Sequence, residues 1–157
     1  WFAENLNYNT GDGNNNSWCY DNNGSNCDIY GRLYTWEAAT SACPDGWHLP
    51  NDIEWTTLID FLGGEDVAGG KMKETGTTHW NSPNTGATNS SGFTALPGGY
   101  RSTNGGFYDR GSFGIWWSAT EYSSTDAWYR TLNYYYVGVG RDNYDKEGGF
   151  SVRCVRD

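Results

Sequence analysis

The sequence predicts an α+β fold with its helices in the first half and short antiparallel strands in the second. Two observations carry this. Helix start and stop signals fall only between residues 35 and 64, and after residue 75 the apolar residues come as short aromatic islands with no helical period. Helices bunched ahead of strands point to α+β, because alternating α/β proteins interleave them. A chain of 157 residues suits one domain, here residues 1–157, with one core of ordinary size.

From the start of the chain, Phe2, Leu6 and Tyr8 alternate loosely, so residues 1–8 read as a first strand. Residues 10–28 read as a polar loop, since Gly, Asn and Asp supply the positive φ angles of tight turns. Tyr30 to Tyr34 reads as a short strand. Thr35 then caps a short helix from Trp36 to Ala42, stopped by Pro44. A second helix starts at Asn51, with Glu54 as its capping-box partner. Trp55, Leu58, Ile59 and Leu62 recur at helical spacing, and Gly63-Gly64 ends the run. The islands that follow are Phe93–Leu96, Gly99–Arg101, Ile115–Ala119, Ala127–Val139 and Phe150–Val155, and their composition is that of strands. Trp36, Trp47, Trp55, Phe93, Trp117 and Val152 are the expected core.

Aromatic residues make up 17% of the chain, with 9 Trp and 12 Tyr, so the core must be built largely from rings. Buried indole and phenol groups need hydrogen-bond partners, which predicts a core laced with polar contacts. The formal net charge is −9 and the 10 Lys and Arg are scattered singly. Nucleic-acid affinity rests on clustered basic residues, so nucleic acid is not an expected partner. No apolar run approaches the roughly 18–20 residues that span a bilayer. The chain opens at Trp1 without a leader and reads as a mature fragment or excised domain.

The four cysteines, Cys19, Cys27, Cys43 and Cys154, allow three pairings. Cys19–Cys27 would close the Gly/Asn-rich loop and Cys43–Cys154 would tie the middle of the chain to its end, and this pairing is preferred. A closed loop of about 100 residues stabilises by roughly 4–5 kcal/mol in the chain-entropy description. Two disulfides imply an oxidising compartment.

Several blocks resemble a known family. Trp36 through Pro50 reads Trp-Glu-Ala-Ala-Thr-Ser-Ala-Cys-Pro-Asp-Gly-Trp-His-Leu-Pro, followed by Glu54-Trp55 and Leu58. Later come Gly92-Phe93, Leu96-Pro97-Gly98-Gly99-Tyr100-Arg101, Trp116-Trp117-Ser118-Ala119-Thr120-Glu121 and Gly149-Phe150-Ser151-Val152-Arg153-Cys154-Val155. In this order they resemble the Fibrobacter succinogenes major paralogous (FISUMP) domain over nearly the whole chain. The resemblance implies a secreted or cell-surface bacterial protein with a C-type-lectin-like fold. In that fold two helices flank small antiparallel sheets, the terminal strands pair, and a long disulfide joins the first helix to the last strand, where Cys43 and Cys154 fall. The Glu-Pro-Asn, Gln-Pro-Asp and Trp-Asn-Asp triplets of calcium-dependent sugar binding are absent, and Trp117-Ser118-Ala119 offers no carboxylate in their place.

No motif points to an enzyme. Gly138-Val139-Gly140 lacks the third glycine and the helix of a dinucleotide site. His48 lies in the Trp47-His48-Leu49-Pro50 block and reads as structural, and Glu54 already has a capping role, which weakens a glycosidase pair with Glu121. No cofactor is expected. Asp21, Asn23, Ser25 and Asp28 alternate oxygens as calcium ligands do, but Gly24 is misplaced for an EF-hand and turn chemistry alone explains the composition, so a disulfide-held turn loop is the preferred reading. Asp142, Asn143, Asp145 and Glu147 form a second oxygen-rich cluster, interrupted by Arg141 and Lys146, and read as a solvated hairpin connection.

The most informative functional feature is the aromatic run Trp128, Tyr129, Arg130, Tyr134, Tyr135, Tyr136 with Arg141, Asp142, Asn143 and Tyr144. In a strand, Trp128, Arg130, Leu132, Tyr134 and Tyr136 share one face, and Tyr129, Thr131, Asn133, Tyr135 and Val137 share the other. Tyrosine on both faces means either core filling on both sides or one exposed binding face. Tyr with Ser, Gly, Asn and Asp is the vocabulary of antibody paratopes. The layout, ahead of a closing strand, is similar to that of retroelement-diversified proteins. These ten residues are the candidate ligand-binding surface, exposed through Tyr135 or Tyr136 and the segment Arg141 to Tyr144. The expected partner is a protein or glycan, bound adhesin-fashion at a cell surface. A sugar-stacking carbohydrate-binding module and a surface-filament spacer are the alternatives.

Overall fold

A computed structural model describes residues 1–11 and 16–157 of the chain. Part of the expected polar loop, residues 12–15, lies outside the described residues. The elements run β1 (Ser17–Trp18), a 3-10 turn (Tyr20–Asn22), α1 (Gly24–Tyr30), β2 (Leu33–Tyr34), α2 (Trp36–Ala42), β3 (Trp47–His48), α3 (Asp52–Phe61) and α4 (Glu65–Met72). They continue β4 (Tyr100–Arg101), β5 (Phe107–Tyr108), β6 (Phe113–Glu121), β7 (Asp126–Asn133), β8 (Gly140–Asp145) and β9 (Val155–Arg156). Helices precede the main sheet, so the α+β reading holds.

The cap chemistry places α2 and α3 as the sequence indicates. The Thr35 side chain accepts from the Ala38 amide. Asn51 accepts from the Ile53 and Glu54 amides while Glu54 reaches back to the Asn51 amide, completing the capping box. The structure adds two helices to those expected. α1 occupies part of the predicted loop and runs into the predicted strand at Tyr30, with Asn23 as its cap. α4 contains Gly69-Gly70, a poor helix pair. A Cβ on Gly69 would collide with the Gly138 carbonyl and one on Gly70 with the Gly86 carbonyl, so tertiary approach explains both glycines.

β6, β7 and β8 form the main antiparallel sheet with β7 central; β1 pairs with β2, β3 with β9, and β4 with β5. Four strand expectations need correction, the first being Phe93–Leu96, which holds only an isolated bridge from Ala95 to Lys73. Residues 1–8 form no strand, although the Phe2 amide donates to Cys154 O (2.9 Å) and the Leu6 amide to Val152 O (2.9 Å). The Ala127–Val139 island is a strand only to Asn133, because the chain turns at Tyr134. The closing segment becomes a strand only at β9, which pairs with β3 and not with the start of the chain. Before that, Phe150 bridges Tyr34, and Ser151 bridges Trp116 on the outer edge of β6.

The sheet divides the core in two. Trp116 and Leu132 pack with Trp55, Ile59, Met72, Trp80 and Phe93 under α3 and α4. Ile115, Trp117 and Ala127 pack on the other side with Tyr34, α2, Phe150 and Val152. Of the expected core, Trp36 and Trp47 are only half-buried, each lying at the edge of this second cluster. The polar-laced core is present: Trp55, Trp80, Trp116 and Trp117 are all buried, and their indoles donate to Trp117 O, Ala95 O, Asn5 Oδ1 and Tyr34 O. The cysteines pair as Cys19–Cys27 and Cys43–Cys154, which fits an oxidising, extracytoplasmic compartment.

Lys73 fastens the loop-rich half. It is fully buried, and its Nζ donates to Thr85 O (2.9 Å), Asn133 O (2.9 Å) and Tyr136 O (2.8 Å). Burial pushes its ammonium down to about 8, so it is charged at neutral pH. Replacing it with Met leaves three carbonyls without their donor. Lys73→Met is expected to cost about 3–5 kcal/mol in denaturant unfolding and to speed amide exchange at residues 133–136; a cost under about 1 kcal/mol would show that the loops hold without it.

His48 sits between two carboxylates, with Nε2 2.8 Å from Glu54 Oε1 and Nδ1 2.6 Å from Asp157 Oδ1. Hydrogen bonds to Asp157 and Glu54 raise its pKa. The stabilisation is therefore fully present below about pH 6.5, the ordinary histidine value, and fades as pH rises through the raised folded value. The melting temperature should fall over that window in the natural chain and stay flatter in His48→Gln; parallel slopes would show that the cluster contributes nothing.

Candidate functional site

The alternation of β7 and β8 sends seven of the ten candidate residues, Trp128 to Arg130 and Arg141 to Tyr144, to opposite sides of the sheet. On the α3 side, Arg130 is buried and pairs with Asp52, Nη1 to Oδ1 at 2.6 Å. Arg141, its cross-strand partner on β8, bonds the other Asp52 oxygen at 2.8 Å. Burial of Asp52 works against its charge, but hydrogen bonds from Arg141 and Arg130 outweigh it and hold its pKa below the ordinary value. The Arg141 guanidinium lies 3.4 Å above the Trp128 ring centre, and Tyr122 meets that ring edge-on at 4.9 Å. Trp128 therefore has a covered face, and Trp128, Arg130 and Arg141 clamp the sheet onto the first turn of α3. Arg130 is thus a correction to the predicted surface, since its side chain is inside.

The opposite side is open. Tyr129 and Tyr144, cross-strand diagonal neighbours, stand beside Phe150, with ring centres 5.0 and 5.3 Å from it. Tyr100 from β4 approaches Phe150 at 6.0 Å and Tyr144 at 6.1 Å. Together with Phe113, Ile115, Thr131 and Asp109 they line a cleft of about 210 Å³. The β4–β5 hairpin forms one wall. Gly99 takes φ +65° where a Cβ would strike the Tyr108 carbonyl, so glycine lets the chain entering β4 close against the chain leaving β5. Asp109, also left-handed at φ 63°, closes the turn into β6 by accepting from the Ser112 and Phe113 amides at 3.0 Å each.

The cleft is aromatic inside and acidic at its edge. The Tyr144 hydroxyl lies 3.2 Å from Ser102 Oγ. Burial first, then Asp142, Tyr100 and Tyr144, push the Tyr129 hydroxyl up to about 12. Tyr100 is raised by burial and next by Asp109. The Thr131 hydroxyl is buried without a protein partner.

Of the remaining candidates only Asp142, the cross-strand partner of Tyr129, borders the cleft. Tyr134 is half-buried against the α3–α4 cluster. Tyr135 and Tyr136 are both exposed in the turn after β7, where one of the two was expected. Asp142 and Asn143 lie within β8, correcting the reading of this segment as a hairpin connection; only Lys146 to Gly148 turn. The Asp142 carboxylate accepts from the Asn143 amide at 2.8 Å. Sequence reading missed Tyr100, Asp109 and Phe113, whose approach depends on hairpin folding and carries no local signal. Of the possible calcium ligands, Asn23 is spent as the α1 cap. Among the described residues no group of three His, Cys, Asp or Glu gathers as for a metal ion, and no helix is long and apolar enough to cross a membrane.

Comparison with curated proteins and with solved structures gives no match. A family model does match, and it spans residues 1–156, the blocks around α2, α3, β6 and the closing segment included. The chain belongs to the Fibrobacter succinogenes major domain family.

Proposed function

We propose that this domain is a secreted or surface-displayed ligand-binding module that recognises a protein or glycan and carries out no chemistry. The observation that carries the reading is the open aromatic cleft around Phe150, Tyr129, Tyr144 and Tyr100. Three phenols pack on buried Phe150 and keep their outer sides on a cleft that no side chain fills. Concave, mostly aromatic sites with a few polar groups are the usual form of binding pockets. A volume of about 210 Å³ suits one compact group of a larger ligand. The reading includes a C-type-lectin-type architecture, supported by the disulfide between the end of α2 and the closing segment. It also includes a cell-exterior location, supported by both disulfides.

A second reading, a carbohydrate-binding module, is favoured by one observation: Tyr135 and Tyr136 both present exposed rings in the segment after β7, where sugar rings could stack. The two readings use different surfaces, so a set of single substitutions separates them.

Binding to arrays of defined glycans and peptides should fall at least tenfold in Tyr129→Ala and Tyr144→Ala, as for aromatic anchors elsewhere. Tyr135→Ala should bind as the natural chain does and melt within about 2 °C of it, since exposed substitutions change stability little. If Tyr135→Ala and Tyr136→Ala abolish glycan binding while the cleft variants retain it, the stacking reading replaces the first.

A further inference from the structure

The geometry points to an aromatic cage: we propose that the cleft between β4 and the β6–β8 sheet binds a methylated or quaternary ammonium group. This rests on the cleft being the binding site, and it names the chemistry of what enters.

The rings decide the shape of the guest. Phe150, only 2% exposed, lies at the base where the phenols meet, and the accessible walls are Tyr129 and Tyr100, at 71° and 75° to it, and Tyr144 at 41°. A sugar ring stacks best on one flat, open face, and this cleft offers converging walls. Walls steeply inclined to a common floor suit a compact, nearly spherical group that touches several ring faces at once. The negative faces of aromatic quadrupoles attract a cation so placed.

The charges decide the sign. The charged groups that act on the Tyr129 and Tyr100 hydroxyls are Asp142 and Asp109, both acidic and both exposed at the edge of the cleft. The nearby cations are engaged elsewhere. Arg101 stacks on Trp18, and Arg110 stacks on Tyr20 and bonds Asn26. Arg141 is turned to the other side of the sheet against Trp128 and Asp52. The cleft thus has a negative rim and no resident counter-charge among the described residues, on a chain of formal net charge −9.

The hydrogen-bonding capacity decides between kinds of ammonium. A primary ammonium carries three donors and needs acceptors when it leaves water. This protein shows what such a site requires, since Lys73 is met by three carbonyls at 2.8 to 2.9 Å. Among the described residues the cleft is lined chiefly by rings, with the Asp109 carboxylate and the Thr131 hydroxyl as its side-chain acceptors besides the phenols. A methylated ammonium has few donors or none, is weakly hydrated, and loses little on entering.

The test is a titration of the 157-residue chain followed through the ring resonances of Tyr100, Tyr129 and Tyr144. The probes are tetramethylammonium, choline, Nε-trimethyllysine, the neutral isostere 3,3-dimethyl-1-butanol, and glucose and galactose. The cations should shift all three tyrosines and bind at least about fivefold more tightly than the neutral isostere. Comparable affinity for all three cations would mean that the head alone is read; tighter binding of choline or of trimethyllysine would say which larger ligand supplies it. Asp109→Asn and Asp142→Asn keep the turn and the strand-edge hydrogen bond, and each should weaken cation binding about two- to fivefold without shifting the melting temperature. Equal affinity for choline and its neutral isostere would overturn the cage. Sugars that shift these rings while cations do not would overturn it too, and would leave the cleft standing as the binding site. Silence of all three tyrosines toward every probe and in the glycan and peptide arrays would remove both.

Discussion

The structure depends on burying one extended segment, Phe150 to Cys154, in which no residue is more than 2% exposed. Buried backbone must find partners for every N–H and C=O, and an isolated strand cannot supply them. The partners come from every direction. Phe150 exchanges hydrogen bonds with Tyr34, Ser151 with Ile115 and Trp117, Val152 accepts from Leu6, and Cys154 accepts from Phe2. The side chains repeat the pattern. Arg153 is buried with its guanidinium on Asn5 Oδ1, Phe2 O and Phe93 O, and Cys154 is bonded to the end of α2. The start of the chain therefore needs no strand geometry of its own. It is an irregular segment fitted to an already demanding neighbour.

The same segment links fold to site. Phe150 belongs to the core under α2 and is also the floor of the cleft, so ligand-facing rings rest directly on the most constrained part of the molecule. The two faces of the β6–β8 sheet then differ in kind. One is sealed by the Asp52, Arg130 and Arg141 ion pairs and the Arg141–Trp128 stack. The other is left half-open by a hairpin that arches over it. The two ion pairs of Asp52, buried at Arg130 and exposed at Arg141, tie β7 and β8 to the first turn of α3, the strands that also carry Tyr129 and Tyr144.

Local chemistry was readable where it was self-contained. Thr35, Asn51 and Glu54 announce α2 and α3 because caps act within four residues, and the cysteine spacing suggested the observed pairing. Non-local features were not. The Gly69-Gly70 pair argues against α4 until the Gly138 and Gly86 carbonyls are seen pressing on it. Tyr129 and Tyr144 could be named as candidates from composition, but Trp128, Arg130 and Arg141 were named with equal reason. Only the position of α3 shows that Arg130 is buried and that Trp128 and Arg141 lie on that helix's side of the sheet. Tyr100 and Asp109 could not be found at all, since their place in the cleft depends on a hairpin whose fold is set by its packing. The period of two separates the faces of β7; it does not say which face another element will cover.

The hub segment is also among the last parts of this stretch to be synthesised. β6 has a partner for its outer edge, Tyr34 for its backbone, and residues 2 and 6 for their amides, only once residues 150–154 are available. Everything before them is a set of helices and hairpins whose α2-side core lacks Phe150, Val152 and Cys154. Such long-range closure is slow, because the entropy of bringing distant parts together is spent before the contacts repay it. Folding of this domain is accordingly an event that waits for its own end, and the sequence upstream must tolerate an interval as an open, ring-rich chain.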